Sequence, residues 1–337
     1  MKNGFSALWA TNSSLNPDDF KNLRCEIKKT SIDELSPGEV IIENHYSSIN
    51  YKDALALTGK GKILRKLPLI PGIDVSGIVV ESQSSLYKPG DKVLIHGANF
   101  GETMCGGYSE YSRVPEQTLV KLPDEMSLKE AMVYGTAGFT AALAINQLEH
   151  NGLNPDKGTV LVTGATGGVG SLALCFLHKK GYTTEAWTRR ESFVPWLKEC
   201  GASIVTDTSS LNFKTAPLAK ATWSSAIDNI GGDILSYILP RIDLWGSVAS
   251  IGLAQSEKLN TTVFPFILRG VNILGTSSNN CPQDLRQKIW KKMATEYKPK
   301  KLETILTNEI TLKDLPSYAE KIIEGNLYGR TIVSFQQ

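Results

Sequence analysis

The sequence predicts an α/β protein, a doubly wound parallel sheet joined to a β-rich unit, on three observations. From Glu39 to Asp124, short β-rich runs (VIIENHYSSI, GIDVSGIVVES, DKVLIHG, GYSEYSRV, TLVKLP) are punctuated by Gly and Pro, as in a compact, mostly antiparallel unit with few helices. After Ser127, strands and helices alternate, as they do when a parallel sheet carries helices on its faces. Within that second pattern, TVLVTGATGGVGSLALCFLHKKGY, from Thr159 to Tyr182, sets an apolar strand, a glycine-rich turn and an apolar helix in succession.

Each element follows in order. The helical run SLKEAMVYGTAGFTAALAINQLEH opens the second pattern, and TVLVTGA, VGSLALCFLHKKG, TTEAWTR, ESFVPWLKECG, SIVTD, SSAIDNIG, LSYILPRI and GSVASIG continue it to a closing strand near VNILGTS. The tail adds the helices DLRQKIWKKMATEY and LPSYAEKIIEG and the strand RTIVSFQ, and is expected to return to the first domain. The predicted boundaries are 1–130 with 273–337 for the β-rich domain and 131–272 for the alternating one. No internal repeat or low-complexity tract interrupts them.

Composition narrows the function classes. A chain of 337 residues with 41% hydrophobic and 21% charged residues can bury a large core. No window reaches the roughly 18 uninterrupted apolar residues of a membrane span. The opening MKNGFSALWA lacks a basic segment followed by a long apolar one, so a cytoplasmic protein without a membrane partner is expected. With 36 basic and 34 acidic residues the formal charge is +2, which argues against nucleic acid as a partner. The five cysteines are odd in number and lack CxxC spacing, and the four histidines share no metal spacing, so neither disulfides nor a metal is expected.

The glycine-rich turn has the order a nucleotide pyrophosphate needs. Gly164, Gly167, Gly168 and Gly170, with Thr166 and Val169 between them, allow a tight turn, close approach of backbone to phosphate, and a helix N-terminus facing the negative charge. The spacing departs from GxGxxG, so the strand, turn, helix and second strand carry the prediction together. About 20 residues beyond the glycines an NAD-specific fold places an acid on the ribose 2′-hydroxyl. Here TTEAWTRR ends instead in Thr188, Arg189 and Arg190, a hydroxyl and two guanidiniums suited to a 2′-phosphate. NADPH is the expected cofactor, with Gly252 and Leu253 after GSVASI as further candidates at its site. The alternative for the two arginines is a solvated loop.

These residues carry a resemblance. SSINYKDALALTGKGKILRK, PGIDVSGIV, YKPGDKV, GTAGFTA, VTGATGGVGS and TTVFPFILRGV, spread over nearly the whole chain, resemble the medium-chain dehydrogenase/reductase superfamily. Within it they are most similar to the zinc-free quinone oxidoreductase branch of acrylyl-CoA reductase (AcuI/YhdH) type. The resemblance implies a GroES-like catalytic domain split around a Rossmann domain, NADPH, a homodimer, and reduction of acrylyl-CoA to propionyl-CoA. Zinc-dependent members place a Cys ligand where this chain has INYKD and a His-Glu pair where it has Ile73 and Asp74, so the resemblance also implies no zinc.

It further points to residues. Tyr51 matches a tyrosine beside the nicotinamide and is the first candidate for catalysis or cofactor packing, with Asn50 and Asp53 as catalytic candidates; a buried tyrosine with a satisfied hydroxyl is the competing reading. Reducing an α,β-unsaturated thioester requires hydride at the β carbon, a donor for the developing enolate oxygen and a proton at the α carbon, none of which needs a metal. Lys60, Lys62, Arg65 and Lys66 in GKGKILRK suit the phosphates of coenzyme A, or are simply solvated. Arg269 in PFILRG is a substrate candidate or a structural ion pair. Two segments depart from the family: GANFGETMCGG stands for the usual GWGVGENHWGG, and GTSSNNCP for GIDSVMCP. The departures, at Ala98, Met104, Cys105 and Ser277, keep a quinone or alkenal/enone substrate in contention, and a non-catalytic NADPH-binding protein is the reading from another class.

Overall fold

The computed structural model describes residues 4–12 and 22–335. They form two compact units: one built from the described residues up to Thr136, Asn279–Gln287 and those from Leu306 onward, the other from Ala137–Ser278 and Lys288–Ile305.

The first unit is a β-sheet structure with a family of inward-facing β-branched residues. Its main sheet runs Leu306–Ile310, Arg330–Ser334, Val40–Ser48, Asp74–Ser82, Lys92–His96 and Val120–Lys121, with Tyr111–Val114 also paired to Val40–Ser48. Every pair is antiparallel except Leu306–Ile310 with Arg330–Ser334. Val40, Ile42, Val75, Val79, Val93 and Ile95 pack one core with Phe100 and Val114. A second core gathers Leu8, Ile49, Ala54, Leu64, Tyr108 and Leu315. Beyond Val40–Ser48 the chain turns at Asn50 into a short helix, Tyr51–Leu57, whose seven residues are too few to show a helical period in the sequence.

The second unit carries a parallel sheet of six strands among the described residues, in the spatial order Ile204–Asp207, Thr184–Thr188, Val160–Val162, Trp223–Asp228, Ile242–Ser250 and Asn272–Gly275. Counted along the chain this is 3-2-1-4-5-6, the doubly wound order, whose switch point lies between Val160–Val162 and Trp223–Asp228. The helix Gly168–Lys179 buries Gly170 through Leu177, which explains its nearly continuous apolar sequence.

Residues 273–337 were expected together in the first domain and 131–272 in the second; the compact units instead place 131–136 in the first, and 273–278 and Lys288–Ile305 in the second. The cause is apolar: Trp290, Met293 and Tyr297 are fully buried, with Trp290 stacked on Phe139 at 6.2 Å and Tyr297 on Phe176 at 5.7 Å. No helix among the described residues is long and apolar enough to cross a membrane.

Candidate active site

In the second unit the dinucleotide turn lies at the carboxyl end of Val160–Val162, beside the switch point where ligands of such sheets bind. Gly164 takes φ +56°. A Cβ on Gly170 would stand 2.4 Å from the Gly164 carbonyl oxygen, so only glycine lets the helix pack on the turn. A Cβ on Gly167 would meet nothing nearer than 3.4 Å, which leaves that face of the turn open. Gly168, Val169 and Gly170 open a 12-residue helix, where N–H groups lack carbonyl partners within the helix and suit an anion.

The neighbouring strand supplies the expected side chains. Thr188 is buried, Arg189 exposed and Arg190 half-buried. The Arg190 N–H donates to Thr188 Oγ1 at 3.1 Å, and its Nη2 lies 3.4 Å from Thr166 Oγ1 in the turn. Burial first and the adjacent Arg189 charge second lower the Arg190 pKa. Gly252 lies against the Asn229 carbonyl, so close that a Cβ would stand 2.1 Å from it, and Leu253 beside it is exposed. The residues present therefore fit a dinucleotide carrying a 2′-phosphate.

In the first unit Asn50 and Asp53 belong to a buried polar network around Ser48. Asp53 Oδ2 accepts the Asn50 N–H at 2.9 Å and the Asn50 Nδ2 at 3.0 Å, while Oδ1 accepts the Ile73 N–H at 3.0 Å. Ser48 Oγ donates to Asp74 Oδ1 at 2.8 Å and accepts from Arg330 Nη2 at 2.6 Å. Arg330 also donates to Asn50 Oδ1 at 3.0 Å and to the Val133 carbonyl at 2.9 Å. Asp53, Asp74 and Arg330 are buried, and Ser48 and Asn50 stand between the guanidinium and the two carboxylates, accepting from the one and donating to the others. Burial first and the Asp74 carboxylate second push the Asp53 carboxyl up to about 7.

Asp53, expected as a catalytic residue, has no exposed surface in this arrangement, and its carboxyl group holds Asn50 and the start of the helix. Tyr51, the first residue of that helix, is 46% exposed and is not the buried tyrosine of the competing reading. Arg330 and Asp74 were not among the candidates, and an arginine in RTIVSF carries no local signal of its partners.

The other candidates separate cleanly. Lys60, Lys62, Arg65 and Lys66 are exposed; Lys52, half-buried, is paired with Glu102 at 2.9 Å. Arg269, expected at the substrate, donates to the carbonyls of Pro240, Ile242 and Ala219. Its guanidinium ties down main chain within the second unit, and among the described residues it forms no ion pair. The two departing segments meet within the first unit, where the Ala98 N–H donates to the Asn279 carbonyl at 3.0 Å and the Asn99 N–H to Asn279 Oδ1 at 3.3 Å. Among the described residues no group of three or more His, Cys, Asp or Glu could hold a metal ion.

Comparison with known proteins agrees with this architecture. Residues 36–124 match the alcohol dehydrogenase GroES-like domain. The chain is 44% identical over 325 residues to the putative quinone oxidoreductase YhfP of Bacillus subtilis, covering 96% of this chain and 98% of that one. It is 43% identical over 299 residues to the probable acrylyl-CoA reductase AcuI of Escherichia coli, covering 89% and 92%. Among solved structures, E. coli YhdH with bound NADPH superimposes with a TM-score of 0.92 at 39% identity, covering 98% of this chain and 100% of that one. B. subtilis yhfP with NAD bound superimposes with a TM-score of 0.93 at 42% identity, covering 98% and 99%.

Proposed function

The chain belongs to the zinc-free quinone oxidoreductase branch of the medium-chain dehydrogenase/reductase superfamily, and we propose that it is an NADPH-dependent reductase of the carbon–carbon double bond of an α,β-unsaturated acyl-CoA. When bound, NADPH supplies the hydride. The chain's own residues bind and orient: the turn Gly164–Gly170 receives the pyrophosphate, and Thr188, Arg189 and Arg190 the 2′-phosphate. Arg330, Asp53 and Ser48 hold Asn50 and the helix that begins at Tyr51, so the exposed Tyr51 ring is presented on a fixed backbone. The five free cysteines fit a reducing compartment such as the cytoplasm.

The observation that carries the acyl-CoA reading is the cluster of exposed cations from Lys60 to Lys66, in the same unit as Asn50–Asp53. A neutral quinone or enone offers these charges nothing to bind, whereas coenzyme A brings three phosphates. The second reading, a quinone or alkenal/enone reductase, is favoured by the altered segments that meet at Ala98 and Asn279.

NADPH oxidation followed against acrylyl-CoA, crotonyl-CoA, a free enone and a quinone separates them. The expected result is the highest kcat/KM with an acyl-CoA, and a preference for NADPH over NADH equivalent to about 1–3 kcal/mol. A quinone or enone preferred over both thioesters would overturn the substrate class, and NADPH binding without turnover would support a non-catalytic protein. In the same assay Tyr51→Phe is expected to stay close to wild type and Tyr51→Ala to weaken NADPH affinity, because the Tyr51 hydroxyl has no hydrogen-bond partner among the described residues. A fall in kcat of about a hundredfold in Tyr51→Phe would instead make the hydroxyl the acid.

We also propose a homodimer. Asn272–Gly275 is an edge strand of the parallel sheet, and the preceding helix exposes Phe264, Ile267 and Leu268. Light scattering is expected to give twice the chain mass, and Ile267→Glu to shift it toward the monomer; a wild-type monomer at micromolar concentration would reject this assembly.

A further inference from the structure

A ring lies against the arginine of the cofactor site. The Arg190 guanidinium carbon sits 4.2 Å from the centroid of Phe193, three residues further along the chain. Phe193 is itself held: Trp196 meets it edge-on at 6.4 Å and 76°, and the Trp196 indole N–H donates to the Thr304 carbonyl at 3.0 Å. A chain of contacts thus runs from the main chain at Thr304 through two aromatic rings to Arg190, and on to Thr166 in the phosphate turn at 3.4 Å. All of these residues lie in the second unit.

An arginine side chain is long and rich in rotamers, and fixing it costs entropy when a phosphate binds. Stacking on an aromatic face removes part of that freedom beforehand and leaves the edge of the guanidinium, with its N–H donors, directed sideways for bidentate contact. The neighbouring Arg189 is exposed and lies over no aromatic ring among the described residues. Two adjacent arginines therefore differ: one is preorganised and the other is not.

We propose that Phe193, backed by Trp196, is a specificity-determining positioning residue that holds Arg190 ready for the 2′-phosphate of the nucleotide. This rests on the reading of Thr188–Arg190 as the 2′-phosphate site. Phe193 acts through the guanidinium it lies against, and its effect is confined to ligands that carry the 2′-phosphate.

Calorimetric titration with adenosine 2′,5′-bisphosphate and with ADP tests this without turnover, in wild type, Phe193→Leu, Phe193→Tyr and Arg190→Gln. Phe193→Leu is expected to weaken the bisphosphate about three- to tenfold and leave ADP unchanged, while Phe193→Tyr, which keeps the ring face, stays within about twofold of wild type. The ratio of kcat/KM for NADPH to that for NADH should fall by the same factor. Should Phe193→Leu fold poorly, Phe193→Met fills the same space without a ring and carries the same expectation. Equal weakening of both ligands, or of neither, overturns the proposal, since a ring that only supports the fold would not distinguish them. If Arg190→Gln selectively loses the bisphosphate but Phe193→Leu does not, the role of Phe193 alone fails. If Arg190→Gln changes neither ligand, the 2′-phosphate reading itself fails.

Discussion

Arg330→Met is expected to destabilise the protein by about 3–5 kcal/mol, because it removes one partner of a buried ionic group and leaves the others uncompensated. Arg330 is 3% exposed and donates to Ser48 Oγ, Asn50 Oδ1 and the Val133 carbonyl; the Ser48 and Val133 acceptors are buried and would lose a donor where water does not reach. The pH dependence gives a second readout. Asp53 has its carboxyl raised to about 7 from 3.8, first by burial and then by Asp74. A raised folded-state value means that the folded chain keeps a proton the unfolded chain has already released, so this contribution to stability is full below the unfolded value and is lost as pH rises through the folded one. At about pH 5.5 Asp53 is largely protonated and Arg330 offsets one buried charge fewer than at about pH 8, so the destabilisation should be larger at the higher pH. Urea unfolding at both pH values, followed by circular dichroism, measures it. A loss under about 1 kcal/mol at both would show that the network does not depend on the guanidinium.

Gly135→Ala should cost about 3 kcal/mol or more, although alanine usually stabilises a helix relative to glycine by about 1 kcal/mol. Gly135 lies inside the helical run Leu128–His150 at φ +50° and ψ −156°, a conformation that side chains other than hydrogen rarely adopt. An added Cβ would stand 2.6 Å from Asp74 Oδ2, 2.8 Å from Arg330 Nη2 and 3.0 Å from Ser48 Oγ. None of these atoms is the free end of a solvent-exposed chain, so the network must shift to admit the methyl group. The break also frees the Thr136 N–H, which donates to Asp74 Oδ2 at 2.8 Å and would be misplaced with it. Thermal unfolding and kcat/KM with NADPH should therefore fall together. An unchanged or raised Tm would mean that the bend at Gly135 is not required by the carboxylate beneath it.

Several features of this protein were determined by its sequence alone because their causes are local. The strand, glycine turn and helix from Thr159 to Tyr182 are contiguous, and steric demands at Gly164 and Gly170 act between atoms a few residues apart. That Thr188 closes the second strand, with Arg189 and Arg190 directly after it, was legible for the same reason, since that position is set by counting along the chain. The alternation of apolar strands and helices likewise specified the parallel sheet.

Only the tertiary structure decided the rest. The exposed cations Lys60–Lys66 and the carbonyl-bound Arg269 look alike as basic residues in a string, and burial and partners separate them. The tail Lys288–Ile305 joined the second unit because Trp290 and Tyr297 found rings on Phe139 and Phe176, more than a hundred residues away. Asn50 and Asp53 were visible as a segment, but Arg330, which lies 280 positions from Asn50, was not. Whether an aspartate is a solvated base or a buried support depends on how much water the fold removes and which cation it brings near, and both are set by packing between distant segments.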